Sequence, residues 1–128
     1  MTSEARILLV DDEVSIQRAV EPLLRSRGYL VDVAGTGALA LKLLAERSPD
    51  LIVLDLGLPD IEGTEVCRRV RASSKVPIVV LSARGAEADK VNALDLGADD
   101  YVTKPFGPDE LVAAVRGGRA IVLPDLHG

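Results

Sequence analysis

The sequence predicts a doubly wound α/β domain, a five-stranded parallel sheet with helices on both faces, and three observations carry the prediction. Short apolar runs rich in β-branched residues recur at residues 7–10, 51–54 and 78–81, each followed at once by polar residues, as expected of strands buried on both faces. Stripes with helical spacing lie between them. The two kinds of segment alternate strictly, which calls for crossover connections and therefore for parallel strands.

Ile7, Leu8, Leu9 and Val10 form the first strand. The helix after it carries Ile16, Val20, Leu23 and Leu24 on one stripe and is ended by Gly28. Pro22 lies midway along that helix, deletes a hydrogen bond, and is expected to kink it at a cost of about 3 kcal/mol. Residues 29–34 make the second strand, and Leu39, Leu43 and Leu44 mark the second helix. Pro49 and Asp50 open the third strand, residues 51–54, and Val66 and Val70 give the next helix its apolar stripe, with Cys67 packed beside them. The fourth strand leads to a helix bearing Val91 and Leu94, closed by Gly97 where a left-handed cap is wanted. Residues 101–103 complete the sheet, and Leu111, Val112 and Val115 mark a last helix that Gly117-Gly118 should end. Residues 1–118 are accordingly expected to be the domain and 119–128, with His127, a tail or the start of a linker.

A chain of 128 residues, 48% of them hydrophobic, buries one sizeable core and is too short for two ordinary domains. The single cysteine forms no internal disulfide, and residues 1–6 do not resemble a secretion signal, so a cytoplasmic, reducing location is expected. No apolar run reaches the length of a membrane span. The net charge of −5 argues against a nucleic-acid surface, which needs Lys and Arg to release counterions. With 2% aromatic residues there are too few rings for base stacking or for a quaternary-amine cage.

Ligands of open parallel sheets bind beyond the carboxyl ends of the strands, where the strand order reverses. The residues standing there are Asp11 and Asp12 after the first run, Asp55 after the third, Ser82 after the fourth and Lys104 just past the fifth. Three crowded carboxylates repel one another unless a cation joins them, and an oxygen-only set that leaves room for water suits Mg²⁺. The metal and Lys104 together would balance three acids, and with the Ser82 hydroxyl they could each take one oxygen of an incoming phosphoryl group. Asp55 is then the nucleophile.

The segments Asp11-Asp12-Glu13, Asp55-Leu56-Gly57-Leu58-Pro59-Asp60, Val80-Leu81-Ser82-Ala83 and Tyr101-Val102-Thr103-Lys104-Pro105-Phe106 together resemble the receiver domain of two-component response regulators, over residues 6 to 116. The resemblance implies a flavodoxin-like sheet in the order 2-1-3-4-5 and a phosphoryl group received by Asp55 from a sensor histidine kinase. It also implies Mg²⁺ held by Asp12, Asp55 and the Gly57 carbonyl, with Asp11 acting through water. Lys104 would pair with the phosphoryl group, and the Lys104-Pro105 bond would be cis. Such a domain runs metal-dependent phosphorylation and dephosphorylation on itself and is not a turnover enzyme.

Within the family, Gly97-Ala98-Asp99-Asp100-Tyr101 and the run from Lys104 to Phe106 followed by Glu110-Leu111 look like the branch that regulates transcription through a winged-helix DNA-binding domain. Residues 55–60 and 76–84 are similar in wording to potassium-responsive Kdp regulators. DNA contact is then expected only through a C-terminal domain outside this sequence, a stand-alone receiver being the other architecture. Ser82 and Tyr101 are expected to act as the switch. The output face, built by the fourth helix, fifth strand and fifth helix, is expected to pair two copies through Lys90 and Glu110, with Val91 and Leu94 as its apolar patch and Asp99, Asp100 and Arg116 as further charges. Ala114 stands where this branch usually carries an arginine, so a weak dimer is expected. Small Gly57 is expected to leave a path for hydrolytic water, which the dephosphorylation rate of Gly57→Met measures.

Other readings are weaker. Asp11 and Asp12 alone would be read as helix-start acids, Ser82 as a turn hydroxyl and Lys104 as a solvated charge. A haloacid-dehalogenase-type phosphatase needs a second acid two residues after the nucleophile, where Gly57 stands. A pseudo-receiver, which binds partners without phosphorylation, typically loses an acid or the lysine, and none is lost here. A flavin or dinucleotide site would need a Gly-rich loop after the first strand, where Asp11 and Asp12 stand instead.

Overall fold

The computed structural model describes residues 4–122. Five strands, β1 (Arg6–Val10), β2 (Leu30–Ala34), β3 (Leu51–Leu54), β4 (Ile78–Ser82) and β5 (Asp100–Thr103), alternate with five helices, α1 (Val14–Ser26), α2 (Gly37–Arg47), α3 (Gly63–Arg71), α4 (Glu87–Asp95) and α5 (Pro108–Val122). All strand pairings are parallel, in the order β2-β1-β3-β4-β5.

Period-2 alternation along the strands divides the core into two layers. Leu8, Val10, Ile52, Leu54, Ile78 and Val80 face α2, α3 and α4, meeting Ala40, Val66, Cys67, Val70 and Ala93. Ile7, Leu9, Leu51, Val53, Val79 and Leu81 face α1 and α5, meeting Val20, Leu24, Leu111 and Val115. Each such side chain, buried whole, stabilises the fold by about 1.5–3 kcal/mol. That two-sided burial is why β1, β3 and β4 read as continuous apolar runs, and why each run stops where the chain leaves the sheet.

Left-handed glycines punctuate two helices as expected: Gly28 at φ +92° after α1 and Gly97 at φ +110° after α4. Pro22 is exposed within α1, which continues past it to Ser26; nothing in the structure explains its choice. The last helix departs from expectation. It does not end at Gly117-Gly118 but runs through both to Val122. Gly118 is buried, and a Cβ there would lie 2.7 Å from Leu51 Cδ1, so this glycine serves close packing of α5 on β3. His127 lies outside the described residues.

Strand order reverses between β1 and β3: the chain goes from β1 to β2 on one side and to β3 on the other. The crevice this opens lies at the carboxyl ends of those two strands.

Candidate functional site

Sheet register brings the acids together. Val10 pairs with Leu54, so Asp11 and Asp55 are the first residues beyond paired strand ends, and the Asp55 N–H donates to Val10 O at 2.9 Å. On the other flank Ser82 pairs with Thr103, and the Lys104 N–H donates to Ser82 O at 2.8 Å. Among the described residues the buried polar side chains are Asp11, Asp55 and Ser82, all at this end of the sheet. With exposed Asp12, the two buried acids offer carboxylate oxygens that all lie within 4.8 Å of one another.

Lys104 Nζ stands over this cluster, 2.9 Å from Asp11 Oδ2 and 3.8 Å from Asp55 Oδ1. Its shortest contact, 2.6 Å, is with Glu13 Oε1. The approach to Asp11 Oδ2 is an ion contact, outside hydrogen-bond geometry, and leaves that buried oxygen with no hydrogen-bond donor. Burial pushes the Asp55 carboxyl up, and the neighbouring Asp11 charge adds to it more than Lys104 offsets. Burial also raises Asp11 against the pull of Lys104. For Lys104, burial acts to lower the ammonium, but its hydrogen bond to Glu13, its ion contact with Asp11 and the surrounding negative charge outweigh it, and the result is raised. An under-satisfied buried oxygen within a hard, all-oxygen donor set fits a divalent cation of the Mg²⁺ class.

The acids do not serve the helix beside them. Glu13 occupies the N-cap of α1 without a side-chain cap bond, the first turn holds no acid, and the Glu13 side chain turns instead to Lys104. Asp11 Oδ1 accepts the Glu13 N–H at 2.9 Å, which shapes the β1–α1 turn, and Gln17 Nε2 donates to Asp11 O at 2.7 Å. A cavity of about 310 Å³ opens above the cluster, lined by Asp12, Asp55, Gly57, Ser82, Arg84 and Lys104. A larger hollow of about 410 Å³ lies between the C-terminal ends of α2 and α3, against Leu41, Leu44, Arg69 and Ser73. It contains no facing set of titratable groups, so chemistry and not volume marks the site.

The expected switch pair meets through the β4–α4 connection. Ser82 Oγ accepts the Arg84 N–H at 3.1 Å, while the half-buried Tyr101 donates its hydroxyl to Arg84 O at 2.5 Å. Gly57 is exposed, and its N–H donates to Asp55 Oδ1 at 3.3 Å. The Lys104-Pro105 bond is cis.

On the face formed by α4, β5 and α5, Val91 and Leu94 are about half exposed, Asp100, Glu110 and Arg116 are exposed, and Lys90 is half-buried. Asp99 is exposed, but its Oδ2 is engaged: it accepts from the Ile78 N–H at 2.8 Å and from Arg71 Nη2 at 3.1 Å.

Glu13 as the nearest partner of Lys104, and Arg84 as a pocket wall whose guanidinium bonds Glu62 at 3.1 Å, were not singled out from sequence. The acidic run at residues 11–13 was a signal for the first; nothing in the residue pattern marks the second.

Comparison with known proteins agrees with this geometry. The profile of the response regulator receiver domain matches residues 7–116. The transcriptional regulatory protein KdpE of Mycobacterium tuberculosis is 54% identical over 110 residues, 86% of this chain and 49% of that protein. The DNA-binding response regulator MtrA of Mycolicibacterium smegmatis is 50% identical over 115 residues, 90% of this chain and 50% of that protein. The chain thus spans about half the length of the curated relatives it matches. Among solved structures, the BeF3-activated N-terminal receiver domain of Klebsiella pneumoniae RstA aligns with a TM-score of 0.86 at 30% identity, covering 89% of this chain and 97% of that one. A CheY-like receiver domain protein from Methanospirillum hungatei gives 0.90 at 27% identity, covering 96% and 99%. A parallel sheet in this strand order, acids gathered at its switch point, and a family profile matched over nearly the whole described chain lead to one assignment: the chain belongs to the receiver-domain family of response regulators.

Proposed function

We propose that Asp55 accepts a phosphoryl group from the phosphohistidine of a sensor histidine kinase, with Mg²⁺ held by Asp12, Asp55 and the Gly57 carbonyl and by Asp11 through water. Phosphorylation and Mg²⁺ binding are general properties of receiver domains. The observation that carries the reading to these residues is the convergence of three carboxylates within 4.8 Å beside a lysine that contacts two of them. When bound, Mg²⁺ supplies the positive charge that lets the carboxylates coexist and offsets the charge of the phosphoryl oxygens. A carboxylate oxygen of Asp55 forms the new P–O bond as the P–N bond breaks, and the departing imidazole takes up a proton. Lys104 leaves its 2.6 Å contact with Glu13 and turns toward the phosphoryl group, while the Ser82 hydroxyl gives up the Arg84 N–H to donate to a phosphoryl oxygen. Because Tyr101 is bonded to the carbonyl of that same Arg84, movement of the β4–α4 connection reaches the face of α4, β5 and α5.

Incubation with acetyl phosphate and Mg²⁺, followed by intact mass, tests the assignment. One phosphoryl mass is expected on the native chain and none in Asp55→Ala or in EDTA; uptake by Asp55→Ala would place the acceptor elsewhere. The signal is read as a transcriptional one, in keeping with relatives named a transcriptional regulatory protein and a DNA-binding response regulator; output in the cytoplasm through a C-terminal effector domain is part of this proposal.

The output face is read as a two-fold dimer surface through Lys90, Val91, Leu94, Asp100, Glu110 and Arg116. Asp99 contributes less than its sequence position suggested, because Arg71 and Ile78 already engage its carboxylate. Buried Ala114 brings no cation to the face, and exposed ion pairs are worth only about 0–1 kcal/mol each. Sedimentation with beryllofluoride and Mg²⁺ is expected to show mostly monomer at micromolar concentration; a tight dimer would contradict this.

A further inference from the structure

In the loop after β3, Asp60 has no part in the chemistry above, yet both of its carboxylate oxygens are engaged by another element. Oδ1 accepts the Gly37 N–H at 2.8 Å and Oδ2 the Ala38 N–H at 3.0 Å. These are the first two residues of α2, whose next N–H, that of Leu39, goes to Thr36 Oγ1 at 3.1 Å. A carboxylate from a distant loop therefore does for α2 what a local cap usually does, at the end of the helix where its dipole favours an anion.

The anchor is firm. Gly37 and Ala40 are buried, and a Cβ on Gly37 would lie 3.1 Å from both Ile61 Cβ and Val66 Cγ2, so loop and helix touch directly. The helix start is tied to the sheet through Ala34, the last residue of β2, whose carbonyl accepts the Asp11 N–H at 3.0 Å. Nearer Asp55, the loop is held by burial of Leu56 and Leu58 and by the Gly63 N–H to Leu56 O at 2.8 Å. Gly57, exposed and without a side chain, is held there by the long 3.3 Å bond from its N–H to Asp55 Oδ1 and not by burial.

We propose that Asp60 is a positioning residue for the metal site: its grip on α2 fixes the loop that carries Asp55 and the Gly57 carbonyl in the geometry that binds Mg²⁺. The two N–H donors hold the Asp60 carboxyl below the usual carboxylate range, so the clamp stays charged at neutral pH. The role differs from simple stabilisation of α2, and Thr36 separates the two: Thr36→Ala removes a cap from the same helix and leaves the loop clamp intact.

The proposal rests on the reading of the site given above, and its test is Mg²⁺ titration by calorimetry at 10 °C, with circular dichroism confirming that each variant is folded. Asp60→Ala is expected to weaken Mg²⁺ binding about tenfold, the scale of lost support to metal ligands. Asp60→Asn, which keeps an acceptor for one of the two N–H groups, is expected to fall between Asp60→Ala and the native chain and supplies the measurement if Asp60→Ala does not fold. Thr36→Ala is expected to lower the melting temperature while keeping native affinity. Native affinity in Asp60→Ala, or an equal loss in Thr36→Ala, would overturn the role of Asp60. A native chain with no Mg²⁺ affinity would instead overturn the reading of the site, and this proposal with it.

Discussion

Asp55→Asn is expected to take up no phosphoryl group and yet to melt at a higher temperature than the native chain at pH 7 in EDTA. Asp11 and Asp55 have folded-state pKa values above the ordinary carboxylate value, through burial first and then, for Asp55, repulsion from Asp11. The folded chain therefore holds protons that the unfolded chain has released. The penalty is absent below the unfolded pKa, grows as pH rises from the unfolded to the folded pKa, and is complete above the folded value. Lys104 acts in the other sense: its raised pKa contributes stability that is present in full at pH 7 and is lost only as pH rises through the folded value.

Removing the Asp55 charge relieves the acid penalty and takes little from Lys104, whose nearer partners are Glu13 at 2.6 Å and Asp11 at 2.9 Å, against 3.8 Å for Asp55. A gain on the order of 1 kcal/mol raises Tm by roughly 4 °C in a domain of this size. Mg²⁺ should close the gap, since at ten times its Kd the ion stabilises the native chain by about 1.4 kcal/mol. A variant that melts at or below the native temperature in EDTA would show that the acids are not crowded in solution.

Gly63→Ala is expected to be the most damaging glycine-to-alanine substitution among the described residues. Gly63 is the buried first residue of α3, and a Cβ there would stand 2.4 Å from Asp55 O and from Leu56 Cα and 3.1 Å from the Asp55 carbonyl carbon. These are backbone atoms, which have no rotamer to change. Either α3 backs away from Val66, Cys67 and Val70's place in the core, or the strand end that carries the phosphoacceptor moves. Overpacking of this kind costs about 3 kcal/mol or more, which lowers Tm by on the order of 10 °C. Gly57→Ala is the control: a Cβ there meets nothing within 4 Å, and its melting temperature should stay near native. Equal melting temperatures for the two variants would refute the argument.

Much of the site was legible because a parallel sheet buried on both faces forces a visible break where each strand leaves the core. The residues at those breaks, Asp11, Asp12, Asp55, Ser82 and Lys104, are the ones that meet. The last helix was misjudged because a glycine pair reads as a stop unless its packing partner is known. Gly118 is small because Leu51 lies under it, and that contact spans about half of the chain. Asp99 is the surface charge its position suggests, but its partner Arg71, 28 residues earlier in α3, was not legible from spacing.

Composition, period and spacing by themselves determined the strand ends, the layering of helices on the sheet, and the residue types available for metal and phosphoryl chemistry. These follow from local alternation and from what burial permits. Only the tertiary structure decided which charges are partners: that Lys104 rests on Glu13, 91 residues away, and that Asp60 caps a helix 22 residues earlier in the chain. Such pairings depend on side-chain reach across packed elements, a distance in space that spacing along the chain does not encode.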